Sequence, residues 1–117
     1  MHEYSLVQAM LEQVETLMRR EGAQRVVDVR VGVGEFSGVE PELLRSAYDF
    51  MVDTTAVCGA QLHLEQVPLC SRCESCGHEF CVDRFRFVCP DCEGRQVTIV
   101  RGEELLLESV TLEQVVS

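Results

Sequence analysis

Two pairs of cysteines, Cys73-Glu-Ser-Cys76 and Cys89-Pro-Asp-Cys92, are separated by residues 77–88 of this chain. Two residues between paired cysteines let both thiolates of a tight turn reach one ion, and two such turns complete a tetrahedron around zinc. A segment of this size cannot fold on apolar burial alone, so metal binding would supply much of its folding free energy. The spacing therefore predicts a closed, structural zinc site.

The pairing has a second possible register, because Cys70 and Cys73 also have two residues between them. We favour Cys73 with Cys76, since Gly77 follows the second cysteine. A glycine there permits the left-handed turn that directs backbone amides at the sulfurs.

The remaining cysteines and one histidine have less certain roles. His78 and Cys81 lie in the spacer, where either could replace a zinc ligand or simply belong to the spacer's own structure. That spacer is long enough for a hairpin whose apolar residues would be Phe80, Val82, Phe85 and Phe87. Cys58, between Val57 and Gly59, is expected to be a small buried apolar side chain.

Composition narrows the class of protein. The chain has 117 residues, a net charge of −10 and only arginine among its basic side chains. Such a surface repels phosphate backbones and anionic membranes. No apolar run is long enough to span a bilayer, and the N-terminus lacks the features of a secretory signal. We therefore expect a cytoplasmic protein, in which the seven cysteines bind metal or stay reduced.

The first part of the chain predicts a helix and then a strand. Ser5 and Gln8 resemble a capping box at the helix start, and Gly22 is a plausible stop. The apolar stripe of this helix has a period of 3.6 residues and consists of Leu6, Val7, Met10, Leu11, Val14, Leu17 and Met18. The strand that follows would bury Val27, Val29, Val31 and Val33.

A loop over residues 34–38 leads to a second helix and a second strand. Pro41 suits the first helical turn. The apolar residues of this helix are Leu43, Leu44, Ala47, Tyr48, Phe50 and Met51. Leu62 and Leu64 then alternate with polar residues, among them His63, which we expect to be solvated or hydrogen-bonded rather than a metal ligand.

These elements predict an α+β fold: a small mixed β-sheet with two helices on one face, plus an inserted zinc-ribbon lobe. Residues 1–68 and 97–117 would form the α/β domain, and residues 69–96 the inserted zinc-binding domain.

The N-terminus offers a second set of donors. The Met1 amine, the His2 amide nitrogen and the His2 imidazole can form fused chelate rings around one ion. Nitrogen donors in a near-square plane suit Ni(II) or Cu(II), and Glu3 could add its amide nitrogen or its carboxylate.

Together, residues 1–6, the α/β body and the two cysteine pairs before a last strand resemble the HypA/HybF family of nickel metallochaperones, which act in [NiFe]-hydrogenase maturation. The similarity extends over essentially the whole chain, and includes Gly34-Glu35-Phe36-Ser37 and Leu62-His63-Leu64-Glu65. It implies nickel bound by Met1, His2 and Glu3. It also implies structural zinc, with Cys73, Cys76, Cys89 and Cys92 as ligands.

The resemblance further implies a HypB-type GTPase and the [NiFe]-hydrogenase large-subunit precursor as partners. Urease maturation factors and self-association are further candidates, whereas nucleic acid and membranes are not expected. The protein would carry nickel as cargo and would not be an enzyme.

Two other classes of protein fit the sequence less well. A zinc ribbon can serve as a protein-interaction or nucleic-acid-binding adaptor, but the lobe has no obvious basic face. Its charged residues are Arg72, Arg84, Arg86 and Arg95 against Glu74, Glu79, Asp83, Asp91 and Glu93. A thiol oxidoreductase using Cys70 or Cys81 would need a strand-to-helix Cys-x-x-Cys context that neither has.

Overall fold

The structure is a computed structural model that describes the backbone of residues 2–114 and the side chains of residues 3–114. Its elements, in chain order, are α1 (His2–Glu21), β1 (Arg25–Gly34), α2 (Pro41–Val52), β2 (Gln61–Val67), β3 (Cys70–Cys73), β4 (Glu79–Cys81), β5 (Val97–Arg101) and β6 (Leu105–Glu113). The strands form two three-stranded sheets, in the orders β2-β1-β6 and β4-β3-β5. Among the described helices, none is long and apolar enough to cross a membrane.

The first sheet and both helices form the body of the protein. Its central strand β1 pairs parallel with β2 and antiparallel with β6, so the sheet is mixed. Alternate residues of β1, namely Val29, Val31 and Val33, are buried together with side chains of both helices in one core. The two helices therefore cover the same face of the sheet, which confirms the predicted fold class.

Helix α1 ends where the sequence predicts but begins earlier. Gly22 has φ 66°, and the amides of Gly22 and Ala23 donate to the carbonyls of Arg19 and Met18, which is a Schellman motif. The predicted start at Ser5 is wrong, because the helix already includes His2. Ser5 therefore lies inside the first turns rather than at the N-cap.

Helix α2 begins at Pro41, as predicted, and buries a narrow stripe of side chains. The buried positions are Leu44, Ala47, Tyr48 and Val52. The Tyr48 hydroxyl donates to the Ala60 carbonyl at 2.8 Å, and burial, assisted by Asp49, raises the pKa of Tyr48 to about 12. Leu43 and Phe50 instead face solvent, at 55% and 74% exposure, so the predicted apolar stripe was too wide.

The start of β1 departs from simple alternation. Val26 is buried, whereas Val27 is only half-buried. The cause is an irregularity in the pairing of β1 with β6 between Val26 and Asp28. A bulge of this kind moves the residues on one side of it to the other face of the sheet. The predicted burial of Val27 is therefore wrong, while Val29, Val31 and Val33 are buried as expected.

The second sheet forms the lobe that carries the cysteine pairs. Strand β3 lies at its centre and pairs antiparallel with both β4 and β5. The spacer contributes only β4, which pairs back onto β3, so the predicted hairpin within the spacer is wrong. Strand β5 belongs to the lobe sheet, which thus extends past residue 97; the division into two domains itself stays a prediction.

The lobe and the body meet at a junction of backbone segments. The turn after β1 is hydrogen-bonded to both segments that link the body to the lobe. Glu35 donates its amide to the Val67 carbonyl at 2.9 Å, and Phe36 donates its amide to the Gly102 carbonyl at 2.7 Å. A Cβ added at Gly34 would lie 2.5 Å from that Gly102 carbonyl oxygen. The Phe36 ring also contacts Phe85 of the lobe, with centroids 5.2 Å apart. Gly34 is therefore required by close approach of backbones.

We expect Gly34→Ala to lower the free energy of unfolding by about 1–3 kcal/mol, because the added methyl would meet backbone atoms that cannot move aside. Gly32→Ala is the matched control on the same strand, since the atoms nearest its methyl would be side-chain atoms of Glu108 and Val67, at 3.1 Å. Urea unfolding of both variants measures the difference. Equal losses would show that the close approach at Gly34 does not constrain the junction.

Candidate metal centre

The four cysteines of the two pairs meet at one point in the lobe. Their sulfur atoms all lie within 4.8 Å of one another. The Sγ atoms of Cys73 and Cys92 are 3.5 Å apart, and those of Cys76 and Cys89 are 3.6 Å apart. Ligands of a tetrahedral zinc ion at the usual Zn–S length would be about 3.8 Å apart. The four sulfurs are therefore close enough together to share one tetrahedral zinc ion.

The first cysteine turn follows β3 directly. Gly77 donates its amide to the Cys73 carbonyl at 2.9 Å, and Cys73 donates its amide to the His78 carbonyl at 2.9 Å. Gly77 has φ 79°, the left-handed conformation that glycine adopts without strain. This supports the reason for pairing Cys73 with Cys76.

The second cysteine turn repeats these bonds without a glycine at the equivalent place. Glu93 donates its amide to the Cys89 carbonyl, and Cys89 donates its amide to the Gly94 carbonyl, both at 2.9 Å. Glu93 has φ 62°, which is unusual for a residue with a side chain. The sequence could not reveal this turn, because the residue type gives no sign of it.

Gly94 lies against the sulfur cluster. A Cβ at this position would stand 3.2 Å from the Cys92 sulfur and 3.3 Å from the Cys73 sulfur. The absence of a side chain thus lets the chain pass beside two candidate ligands. Sequence reasoning missed Gly94, although a glycine two residues after the last cysteine was a usable signal.

The pKa values of Cys73, Cys76 and Cys92 are shifted in different directions by the amides and sulfurs around them. The Cys76 amide, assisted by that of Ser75, lowers the pKa of Cys73 to about 6. The Gly94 amide by itself lowers the pKa of Cys92, but the sulfurs of Cys73 and Cys76 raise it to about 12. The His78 amide lowers the pKa of Cys76, but the neighbouring Cys89 sulfur and burial outweigh it and leave that pKa raised. A bound cation would favour the charged form of the thiols whose pKa is raised.

His78 lies beside the cluster but outside the group of four sulfurs. Its Nδ1 is 3.3 Å from Asp91 Oδ2, so this contact joins the first cysteine turn to the second. The ring also stacks on Phe80, with centroids 6.4 Å apart. Asp91 is a further residue that sequence reasoning missed.

The other three cysteines lie outside the cluster. Cys70 and Cys81 are joined by a disulfide bond, contrary to the expectation that every cysteine binds metal or stays reduced. Cys58 is exposed, so its predicted burial is wrong; it lies in a turn where the neighbouring Val57 is buried instead.

The candidate nickel ligands lie at the start of α1. Met1 and the side chain of His2 fall outside the described residues. Glu3 is half-buried in the first turn of the helix. The first amides of any α-helix have no intrahelical acceptor. A metal could therefore replace the amide protons of His2 and Glu3 without breaking helical hydrogen bonds.

His63, the remaining histidine, lies in the body. Its Nε2 is 2.6 Å from Asp28 Oδ1 across the parallel strands β1 and β2. Among the side chains of residues 3–114, the four-cysteine cluster is the only group of three or more metal-ligating side chains close enough to share an ion.

Comparison with known proteins assigns the family. The family model described as "Hydrogenase/urease nickel incorporation, metallochaperone, hypA" matches residues 1–112 of this chain. The chain belongs to the HypA family. It is 36% identical over 114 residues to the hydrogenase maturation factor HypA of Desulfitobacterium hafniense, covering 97% of this chain and 100% of that protein. It is 42% identical over 112 residues to HypA of Nitrosospira multiformis, covering 96% and 97%.

Solved HypA structures share the fold. The solution structure of the Ni metallochaperone HypA from Helicobacter pylori aligns with a TM-score of 0.70 and 27% identity, covering 96% of this chain and 97% of that one. A second HypA solution structure aligns with a TM-score of 0.71 and 30% identity, covering 96% of both chains. The HypA fold thus includes both the body and the cysteine lobe.

We expect Cys89→Ser to unfold or loosen the lobe while the body keeps its structure, because structural zinc is worth about 10 kcal/mol or more and the body has its own core. Metal content by mass spectrometry and backbone amide NMR measure the two effects. Cys58→Ser is the control, since Cys58 is exposed and outside the cluster. Retained metal in Cys89→Ser would remove Cys89 from the ligand set.

We expect metal affinity to fall as the pH falls, because each thiol must lose its proton before it binds the ion. The pKa of Cys73 is about 6, so binding releases one more proton below that pH than above it. The slope of log affinity against pH should therefore steepen by about one on the acid side. Competition with a chelator of known protonation measures this slope. A slope that stays constant through this pH would contradict the assignment to Cys73.

Proposed function

We propose that this chain is a nickel metallochaperone that binds Ni(II) through Met1, His2 and Glu3 and delivers it to the [NiFe]-hydrogenase large-subunit precursor. The observation that carries the proposal is its membership of the HypA family over residues 1–112. A structural zinc ion, bound by Cys73, Cys76, Cys89 and Cys92, completes the proposal.

Zinc is supported by the donor set and its geometry. Four thiolates are soft ligands, and sulfur separations of 3.5 and 3.6 Å suit a small tetrahedral ion. Backbone amides directed at three of these sulfurs partly offset their charge. Four protein ligands leave no open position for a substrate. A structural role, and no enzymatic one, follows for this site.

Nickel binding is supported by the chemistry of the terminus. The Met1 amine and the amide nitrogens of His2 and Glu3 are strong nitrogen donors once deprotonated, and they suit the planar geometry of Ni(II). Because α1 begins at His2, these amides belong to the helix end whose donors lack acceptors. Nickel would therefore bind without disturbing the rest of α1.

The same location favours release. The N-terminal end of a helix carries partial positive charge and disfavours a cation by about 0.3–1 kcal/mol. The His2 and Glu3 amides lie in the first turn of α1 and have no intrahelical acceptor, so the helix need not unwind for the ion to leave. Delivery would proceed by ligand exchange, in which a client site with more donors takes the ion from this one.

The proposed partners follow from the family. They are a HypB-type GTPase and the [NiFe]-hydrogenase large-subunit precursor, with urease maturation factors and a second copy of this chain as further candidates. The net charge of −10 speaks against nucleic acid and anionic membranes as partners. We place the protein in the cytoplasm, where these partners would be found.

We expect His2→Ala to abolish nickel binding while zinc content and helical content stay unchanged, because the imidazole completes the chelate rings and lies far along the chain from the cysteines. Isothermal titration with Ni(II), followed by metal analysis, measures both on protein without a tag. His63→Ala is the matched control, since His63 contacts Asp28 in the body sheet.

A chain with one extra residue before Met1 tests the terminal amine separately. It should lose nickel binding like His2→Ala, because the amine is displaced from the chelate. Nickel binding that persists in both variants would remove the terminus from the chemistry. Loss of zinc from His2→Ala would contradict two independent sites.

A further inference from the structure

The disulfide between Cys70 and Cys81 is not part of the four-cysteine cluster. The two cysteines are direct partners in the pairing of β3 with β4, with Cα atoms 4.0 Å apart. Antiparallel partners at such short separation bring their side chains together on one face of the sheet. The backbone of the lobe therefore holds the two sulfurs in contact.

The two ends of this bond differ in accessibility. Cys70 is only 1% exposed, whereas Cys81 is exposed. An external thiolate must approach one sulfur of the bond, and the accessible sulfur is attacked first. The structure thus directs attack to Cys81 and makes Cys70 the leaving group.

Cys81 also lines a cleft of about 650 Å³, a volume typical of sites for small ligands. The charged residues of this cleft are Arg86, Arg95, Asp83 and Glu93. Within residues 2–114, neither arginine has a carboxylate at ion-pair distance. Two unpaired cations beside two carboxylates match a small molecule that carries charges of both signs.

We propose that this cleft is a thiol–disulfide exchange site for a small zwitterionic thiol of the glutathione class. The carboxylates of the thiol would pair with Arg86 and Arg95, and its ammonium group with Asp83 or Glu93. This arrangement places the thiol sulfur beside Cys81. The site is independent of nickel binding at the N-terminus.

The exchange balances as two successive displacements. The thiolate of the first small thiol forms a bond to Cys81 Sγ, the Cys70–Cys81 bond breaks, and Cys70 leaves as a thiolate that takes up a proton. A second small thiol attacks the sulfur of the first, which releases Cys81 as a thiol and the small molecule as its disulfide. The two small thiols together supply the two electrons, and the oxidised small molecule reverses both steps.

The bond constrains the part of the lobe that carries two candidate zinc ligands. The loop closed between Cys70 and Cys81 contains Cys73 and Cys76, so the disulfide restricts the freedom of that turn in the unfolded lobe. Cys81 and Cys89 also line the same cleft. Release of zinc to a chelator should therefore be several-fold faster from the chain with reduced Cys70 and Cys81.

The test uses full-length, zinc-loaded protein and oxidised or reduced glutathione, with adducts located by peptide mass spectrometry. Reduced glutathione should give a mixed disulfide at Cys81 and none at Cys70. In Cys70→Ser, oxidised glutathione should modify Cys81 several-fold faster than Cys58, an exposed thiol in the same chain that serves as internal reference. Wild-type protein reduced beforehand gives the same comparison without a substitution, should Cys70→Ser fail to fold.

A charge control distinguishes binding of the thiol in the cleft from simple exposure of Cys81. The double variant Arg86→Gln/Arg95→Gln should react several-fold more slowly with glutathione and at an unchanged rate with 2-mercaptoethanol, which carries no charge. Any of the following results would overturn the proposal: an adduct on Cys70, equal rates at Cys81 and Cys58, no effect of the double variant, or modification of the metal-binding cysteines with zinc loss before Cys81 reacts. Zinc content is measured in every sample, so that a failure of this proposal can be told apart from a failure of the proposed zinc or nickel sites.

Discussion

The close approach of four sulfur atoms, all within 4.8 Å of one another, is the constraint on which the structure of the lobe depends. The pKa of Cys73 falls to about 6 while that of Cys92 rises to about 12, so these two thiols do not lose their protons together near neutral pH. Apart from its sheet and the Cys70–Cys81 disulfide, the lobe has few buried apolar side chains: Leu69, Val82 and the cysteines Cys70, Cys73 and Cys89. The proposed zinc ion would therefore supply much of the folding free energy of a segment with so small a core.

The body depends on a different interaction, the burial of one face of a mixed sheet by two helices. The two parts meet where Gly34 approaches Gly102 and where the turn after β1 holds both linkers. These backbone contacts and the Phe36–Phe85 pair connect the lobe to the turn after β1. In the proposed function, the zinc site and the nickel terminus thus belong to parts of the molecule with separate sources of stability.

Much of this architecture was predictable from local patterns. The cysteine spacing identified the four sulfurs, Gly22 and Pro41 marked helix boundaries, and alternation identified β1 and β2. The start of α1 was wrong because Ser5 resembles a cap, yet the helix begins at His2. Local patterns do not show which face of a helix packs against the rest of the protein, so the exposure of Leu43 and Phe50 on α2 was not predicted.

Two other features that the sequence did not predict depend on how strands distant in sequence align with each other. The contact of Cys70 with Cys81 depends on how β3 aligns with β4, and the burial of Val26 instead of Val27 depends on an irregularity between β1 and β6. Neither alignment is encoded in a short window of sequence. The unusual backbone of Glu93 is likewise imposed by the cysteine turn that it closes.

The close contact between Gly102 and Leu69 also bears on how the lobe is joined to the rest of the chain. A Cβ at Gly102 would lie 2.5 Å from the Leu69 Cα, so the lobe leaves the body and returns to it at adjoining points. An insert with adjoining ends adds little loop-closure cost to its host. The body can therefore close its sheet with little entropic cost from the residues that lie between β2 and β6.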